Sequence, residues 1–193
     1  MLSSVAPAPA PSARALTARP VRLYDSWWTV SAAGLCAVLG LTAALWLSAH
    51  LRTDAALHTA ALFVHLASLV LGFGAVLSAD YHGVLWATGR CSLDEVLGAA
   101  SRLHVPIWAG LGGLVASGMM LHPDLGSGLT LIKVALVLAL TLNGLQAGLL
   151  SRKLAAATGP IGRGMLAWGG ATAAISQVCW WGAVAIGFLN SNG

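Results

Sequence analysis

The stretch Ala56–Arg90 decides the fold of this chain; its sequence is ALHTAALFVHLASLVLGFGAVLSADYHGVLWATGR. It is apolar and longer than the ~20 residues that a helix needs to cross the hydrocarbon of a bilayer. It nevertheless carries His58, His65 and Asp80. Ionisable side chains are costly inside hydrocarbon, so each of these three is a candidate functional residue.

The composition of the whole chain is that of an integral membrane protein. Of its 193 residues, 58% are hydrophobic and 8% are charged, whereas a soluble domain carries roughly 25% charged residues. The net charge of +4 comes without a basic cluster or a nucleic-acid-binding motif, so no nucleic-acid partner is expected. The cysteines Cys36, Cys91 and Cys179 are widely spaced and odd in number, which argues against a disulfide framework.

The hydrophobic pattern predicts an all-α integral membrane bundle of five transmembrane helices within residues 23–193. The predicted spans are residues 28–49, 56–80, 101–121, 128–150 and 164–189. Residues 1–22 are rich in Ala, Pro and Ser and are expected to form a disordered cytoplasmic tail rather than a secretory signal. The lipid bilayer is therefore the first expected partner of the chain.

The third helix is expected to begin well before its apolar part. Ser92-Leu-Asp-Glu95 fits a capping box, in which Ser and Glu satisfy backbone groups at a helix start, and it places that start near Leu93. The alternative is a loop over residues 92–102. Pro106 falls inside this helix and is expected to kink it or to open a gap in its hydrogen bonding.

Basic residues are distributed unequally between the two ends of the predicted helices. One side receives Arg14, Arg19, Arg22, Arg90, Arg102, Arg152, Lys153 and Arg163. The other side receives Arg52, and Lys133 lies inside a span. The positive-inside rule therefore predicts a cytoplasmic N-terminus and an outward-facing C-terminus for a multi-pass protein of the cell membrane.

This orientation places His65 and Lys133 at a similar depth. At 1.5 Å per residue, they lie roughly 14 Å and roughly 8 Å from the outer starts of their helices. One meridian of the second helix carries His58, His65, Gly72 and Val76. This polar and small-residue face is expected to turn into the bundle.

His65 and Lys133 are the candidate cofactor-binding residues. A neutral imidazole in a dry site is a common ligand of haem iron, which makes His65 a candidate axial ligand. Lys133 can pair with a haem propionate or with a substrate carboxylate. The alternative is that His65 hydrogen-bonds a neighbouring helix while Lys133 extends toward the headgroups.

A second set of candidates lies at the outer ends of the helices: His50, His58 and His122. The pair Met119-Met120 is nearby in sequence, and imidazole and thioether groups suit copper. These three histidines form the alternative metal site.

Polar residues also cluster near the cytoplasmic ends. For Asp80 and His104, a salt bridge with Arg102 or Arg90 is the expected arrangement, and a proton relay that includes His82 is the alternative. Further into the bundle, interhelical hydrogen bonds are expected from Asn143, Gln146 and Ser176-Gln177.

Several motifs of the second to fourth helices resemble a group of small bacterial membrane proteins. The motifs are His65, Gly72-Phe73-Gly74, Asp80, Trp108-Ala-Gly110, Ser117-Gly118, Leu131-Ile-Lys133-Val and Asn143-Gly144. Over roughly residues 57–150 they resemble the copper-resistance D-like (CopD-like) proteins and the HemJ-type protoporphyrinogen oxidases. The latter resemblance implies haem binding at His65 and Lys133. The chain departs from the HemJ-type pattern where it has Gly-Phe-Gly and Asn143-Gly144.

These observations give three functional hypotheses for an inner-membrane protein. The first is a cofactor pocket between helices 2 and 4 that holds b-type haem for electron transfer or porphyrin oxidation. The second is a copper- or ion-handling membrane protein. The third is a non-catalytic assembly subunit, for which other membrane redox or assembly proteins are the expected partners. The chain has no nucleophile elbow, P-loop, dinucleotide fingerprint or HExxH motif, so an enzymatic role implies redox or proton chemistry.

Overall fold

A computed structural model describes residues 26–157 and 159–191 as a bundle of five helices. The helices are α1 (Trp27–His50), α2 (Ala55–Ala87), α3 (Leu93–Gly118), α4 (Gly128–Ala156) and α5 (Arg163–Ser191). A short 3-10 turn, Met119–Leu121, follows α3. Within the described ranges no residue is in a strand. The predicted tail over residues 1–22 lies outside the described residues.

All five helices are long and apolar enough to span a membrane, as predicted for a multi-pass membrane protein. Four of the five predicted spans lie within one helix each, and the predicted span 101–121 begins in α3 and ends with the 3-10 turn that follows it. Large apolar side chains face outward on them; Trp28, Val70 and Phe63 are 86%, 75% and 73% exposed. An apolar exterior of this kind requires lipid rather than water around it.

Capping groups set the helix starts at two of the boundaries. The Asp54 side chain accepts a hydrogen bond from the Leu57 amide at 2.7 Å and so begins α2. At the start of α3 the predicted capping box is confirmed: the Ser92 amide donates to Glu95 at 2.6 Å, and the Glu95 amide donates to Ser92 Oγ at 3.3 Å. The helix that starts there continues through Pro106 as a single element.

Helices α2 and α3 form the most closely packed pair, because glycines allow their backbones to touch. A Cβ added at Gly110 would lie 2.4 Å from the Gly72 Cα. A Cβ added at Gly72 would lie 3.1 Å from the Gly110 Cα and 3.1 Å from the Trp180 ring. The stripe predicted to face inward on α2 is buried at Gly72 and Val76 and half-buried at His65, whereas His58 at its outer end is exposed.

A second pair, α4 and α5, packs against the first, and α1 packs on the outside against α4. The core where α2 to α5 meet consists of Phe73, Val76, Leu111, Leu140, Cys179 and Trp180. Stacking of Phe73 on Trp180, with ring centroids 5.4 Å apart, joins α2 to α5. Helix α1 contributes little to this core, since Gly34 and Ser48 are its buried residues.

Candidate functional site

His65 faces α3 and is held there by a buried serine. Its Nδ1 atom lies 2.9 Å from the Oγ of Ser117, which is 3% exposed. The Ser117 hydroxyl donates in turn to the Gly113 carbonyl, one turn earlier in α3, at 2.5 Å. A hydroxyl has one proton. The short distance to the Gly113 carbonyl favours that carbonyl as the acceptor of the proton, and Ser117 Oγ is then the acceptor from His65.

This arrangement favours one tautomer of the neutral imidazole. When Ser117 donates to the Gly113 carbonyl, the proton is on Nδ1, where it is donated to Ser117, and the lone pair is on Nε2. Histidines that bind metals have this arrangement, in which the other ring N–H donates to a neighbouring group and sets the orientation of the ring. The close approach of Gly118 supports the same orientation, because a Cβ there would lie 3.5 Å from His65 Cε1.

Lys133 on α4 is the second candidate cofactor-binding residue. The structure places it close enough for an electrostatic interaction with the imidazole. Its ammonium approaches α5 where that helix has no side chain, since a Cβ added at Gly187 would lie 3.5 Å from Nζ. Both Lys133 and His65 are half-buried. His65 and Lys133, which the sequence placed at a similar depth, therefore lie within range of an electrostatic interaction.

The fit of these residues to a haem rests on a single axial ligand. His65 Nε2 is the atom that remains for iron, and Lys133 supplies a positive charge suited to a propionate. Helices α2 and α4 are not among the closely packed helix pairs of the described chain. Access to His65 from the α4 side is therefore not closed by direct helix packing.

The three outer histidines do not form a metal-binding group. Both ring nitrogens of His122 are engaged, Nε2 with the Leu51 carbonyl at 2.9 Å and Nδ1 with Thr53 at 3.2 Å. His50 bonds through Nδ1 to the carbonyl one turn earlier in α1, at 2.8 Å, and His58 is exposed. Throughout residues 26–157 and 159–191, no three His, Cys, Asp or Glu side chains are placed to hold a metal ion together.

Asp80 has a different partner from the one expected. The predicted salt bridge with Arg102 or Arg90 is wrong, because Asp80 Oδ2 accepts a hydrogen bond from Gln177 Nε2 at 2.5 Å. Gln177 Oε1 accepts in turn from the Trp181 indole at 3.0 Å. The carboxylate is half-buried, and a neutral amide on α5 satisfies it without bringing a second charge into the membrane.

The other polar residues near this end of the bundle have separate partners. His82 Nδ1 lies 2.8 Å from the Ser78 carbonyl in its own helix, and the His104 ring lies beside Trp108 with centroids 6.0 Å apart. The hydrogen bonds of the described residues do not link His82, His104 and Asp80 into one chain. The relay alternative therefore has no continuous hydrogen-bonded path in this structure.

A polar network between α4 and α5 is confirmed where amides were expected to join helices. Asn143 donates to the Thr172 carbonyl at 2.9 Å, and Gln146 donates to Asn143 Oδ1 at 2.8 Å and to Thr172 Oγ1 at 2.9 Å. The Trp168 indole donates to Gln146 Oε1. Thr172 and Trp168 were not foreseen, because their roles depend on how α5 faces α4.

Ser117 is the residue of the His65 site that sequence reasoning did not assign. A signal for it was present, since His65 and Gly72 are seven residues apart on α2, and Ser117 and Gly110 are seven apart on α3. In antiparallel helices that touch at the two glycines, equal steps in opposite directions bring His65 and Ser117 together. The sequence alone does not show that Gly72 and Gly110 touch, so this signal could not be used without the tertiary structure.

The chain was compared with models of known protein families, with curated proteins and with solved structures, and no match was found. The resemblance to the CopD-like and HemJ-type proteins therefore stays a hypothesis that rests on the motifs of the sequence. The geometry of the residues is the basis for the function proposed below.

Proposed function

We propose that this membrane protein holds a b-type haem, with His65 Nε2 as an axial ligand, and serves in redox chemistry within the bilayer. The observation that carries the proposal is the hydrogen bond from His65 Nδ1 to the buried Ser117. With the proton on Nδ1, Nε2 carries the lone pair that would bind iron, and the bond to Ser117 restrains the orientation of the ring. A ring with both nitrogens bonded to the protein, as in His122, has no such atom to offer.

The surroundings of His65 favour a cofactor with negative groups. Lys133 places an ammonium group near the imidazole in a part of the chain where charge is costly. A propionate or a substrate carboxylate would compensate this charge. In this role Lys133 orients the bound group and His65 binds it, while Ser117 positions the imidazole.

Bound haem would supply one-electron chemistry, whose potential depends on the axial ligand and on the polarity around it. The expected role is electron transfer, or porphyrin oxidation as in the HemJ-type enzymes that the chain resembles. The apolar side chains on the exterior of the bundle are suited to lipid, which would place this redox chemistry within the bilayer. A membrane redox or assembly protein is the partner that such a role implies.

A reduced-minus-oxidised absorption spectrum of the purified protein, produced with haem supply, tests the proposal. We expect Soret and α bands that are lost in His65→Ala and retained in His58→Ala, a matched variant whose histidine is exposed on the same helix. Ser117→Ala should retain a weaker or shifted band, since it removes only the positioning group. Lys133→Gln should lower haem retention while the band position stays near that of the wild type.

Two results would exclude parts of this proposal. A wild-type protein without haem bands would exclude the haem-binding function, and an assembly role would then be favoured. Bands that persist in His65→Ala would exclude His65 as the ligand and retain the class of function.

We also propose that the chain lies in the inner membrane with its N-terminus in the cytoplasm and its C-terminus outside. The support is the excess of Lys and Arg at the end where α1 begins and α4 ends. At the C-terminus, a fused reporter enzyme that is active outside the cytoplasm should be active, and one that requires the cytoplasm should be inactive. Activity of a cytoplasm-specific reporter at that position would contradict the orientation.

A further inference from the structure

A groove of about 600 Å³ lies between α1 and the α4–α5 pair, away from His65 and Lys133. It is lined by Trp27, Val30, Ser31, Gly34, Val38, Ala139, Leu142, Asn143, Gln146 and Ile175. The α1 residues recur at helical spacing, so the groove follows the helix axis from Trp27 to Val38. The rise along the helix from Trp27 to Val38 is about 16 Å at 1.5 Å per residue, and half of the hydrocarbon thickness is about 15 Å. The groove therefore has the length of one leaflet.

A lysine is fixed at the end of this groove that lies near the membrane surface. Trp27 and Trp168 stack with centroids 5.6 Å apart and planes at 15°. The Lys153 ammonium lies 5.9 Å from the centroid of Trp27 and 5.5 Å from that of Trp168. Such contacts use the charge of the ammonium. Within the described residues they are the interactions that hold Lys153, so its N–H groups remain available to an anion.

The two amide side chains that line the groove, those of Asn143 and Gln146, are hydrogen-bonded to the protein. Asn143 and Gln146 are bonded to Thr172 on α5 and to each other, and Gln146 also accepts from Trp168. A ligand that needs one of these amides as a polar partner, such as a quinone ring, would have to break this network. The polar part of the occupant is therefore expected at the mouth, beside Lys153.

An apolar groove of one leaflet's length with a fixed cation at its mouth matches one class of molecule. We propose that it binds one anionic phospholipid, whose acyl chain lies between α1 and α4 and whose phosphate pairs with Lys153. Basic pockets between transmembrane helices bind anionic headgroups in this way. Small residues leave space for the acyl chain, because Ser31, Gly34 and Ala139 line the groove without filling it.

Native mass spectrometry of the full chain, released from detergent with phosphatidylglycerol or with phosphatidylcholine of the same acyl chains, tests the proposal. We expect one retained phosphatidylglycerol and at least about fivefold less phosphatidylcholine, the ratio expected from one basic residue at the membrane surface. Lys153→Gln should remove this preference. Arg90→Gln, which removes an exposed cation from the α2–α3 connection at the same end of the bundle, should preserve it.

A second pair of variants tests the apolar part of the site. Ala139→Leu fills the groove and should reduce retention of both lipids, whereas Ala67→Leu adds the same atoms to an exposed position on α2 and should not. Equal retention of the two lipids by the wild type would overturn the proposal. A preference for phosphatidylglycerol that persists in Lys153→Gln, or that is lost equally in Arg90→Gln, would also overturn it. A dimer of the wild type that Ala139→Leu dissociates would overturn it as well, because it would identify a second copy of the chain as the occupant.

Discussion

The contact between α2 and α3 gives the sharpest test of the fold, through the variant Gly110→Ala. A Cβ at this position would lie 2.4 Å from the Gly72 Cα, 2.5 Å from the Gly72 amide nitrogen and 2.7 Å from the Ser68 carbonyl oxygen. All three are backbone atoms of α2, so no side-chain rotation can relieve the overlap. The helices must move apart.

The expected loss in the free energy of unfolding follows from the size of this overlap. Ordinary contacts of a Cβ begin at 3.4 Å, so the shortest distance must grow from 2.4 Å to 3.4 Å, by about 1 Å. Overpacking of this kind costs about 1–3 kcal/mol, and more where the backbone must shift. The Gly-to-Ala change itself favours a helix by up to about 1 kcal/mol. The variant Gly112→Ala has the same helix gain but meets nothing within 4 Å.

The difference between these two variants isolates the steric cost of the glycine contact. We expect Gly110→Ala to be less stable than Gly112→Ala by at least about 2 kcal/mol in reversible unfolding by SDS in mixed micelles. Separation of the helices should also lengthen the bond between His65 and Ser117. If the two variants unfolded within about 0.5 kcal/mol of each other, the range of neutral surface substitutions, the close glycine contact would be refuted.

Three further predictions concern the ends and the interior of the helices. Ser92→Ala should destabilise the protein by about 0.5–2 kcal/mol in the same unfolding assay, because it removes a helix cap, whereas Ser127→Ala should have little effect, since that serine makes no side-chain cap bond. Asp80→Ala should cost about 1–3 kcal/mol, because it removes the acceptor of the Gln177 side-chain N–H. Asp80→Asn keeps an acceptor and should cost less, and equal losses for the two variants would contradict this. Burial, and then the nearby capping carboxylate, raises the pKa of Cys91. The rate of its alkylation by a water-soluble maleimide should therefore continue to rise as the pH increases above about 8.5, the pKa of a free cysteine. A rate that became constant above that pH would contradict the raised pKa.

Much of the architecture could be predicted because it depends on local composition. Helix number and type follow from apolar runs that must satisfy their own backbone groups in lipid. The start of α3 at Leu93 follows from a capping box that is complete within four residues. The amides of Asn143 and Gln146 were expected to join helices because few other arrangements satisfy an amide inside a membrane.

The hydrogen-bond partners of individual polar side chains could not be predicted in the same way. Asp80 was expected to pair with an arginine, since arginines are close in sequence, yet its partner is Gln177, 97 residues away on α5. The outer histidines share one end of the bundle by topology, but the 3-10 turn and the connections after α1 and α3 direct His122 to the Leu51 carbonyl instead of toward a shared ion. The Asp80 contact depends on which face of α5 meets α2, and the His122 contact depends on the course of the connections.

The sequence by itself determined that this chain forms five apolar helices, with His65 and Lys133 at a similar depth on two of them. Depth follows from 1.5 Å of rise per residue, which needs no knowledge of the neighbours. Only the tertiary structure decided that His65 donates to Ser117, and that Lys153 lies over two tryptophans at the mouth of a groove. These contacts depend on which faces of the helices meet, and that is set by the close approach of Gly72 to Gly110 and by packing across the core.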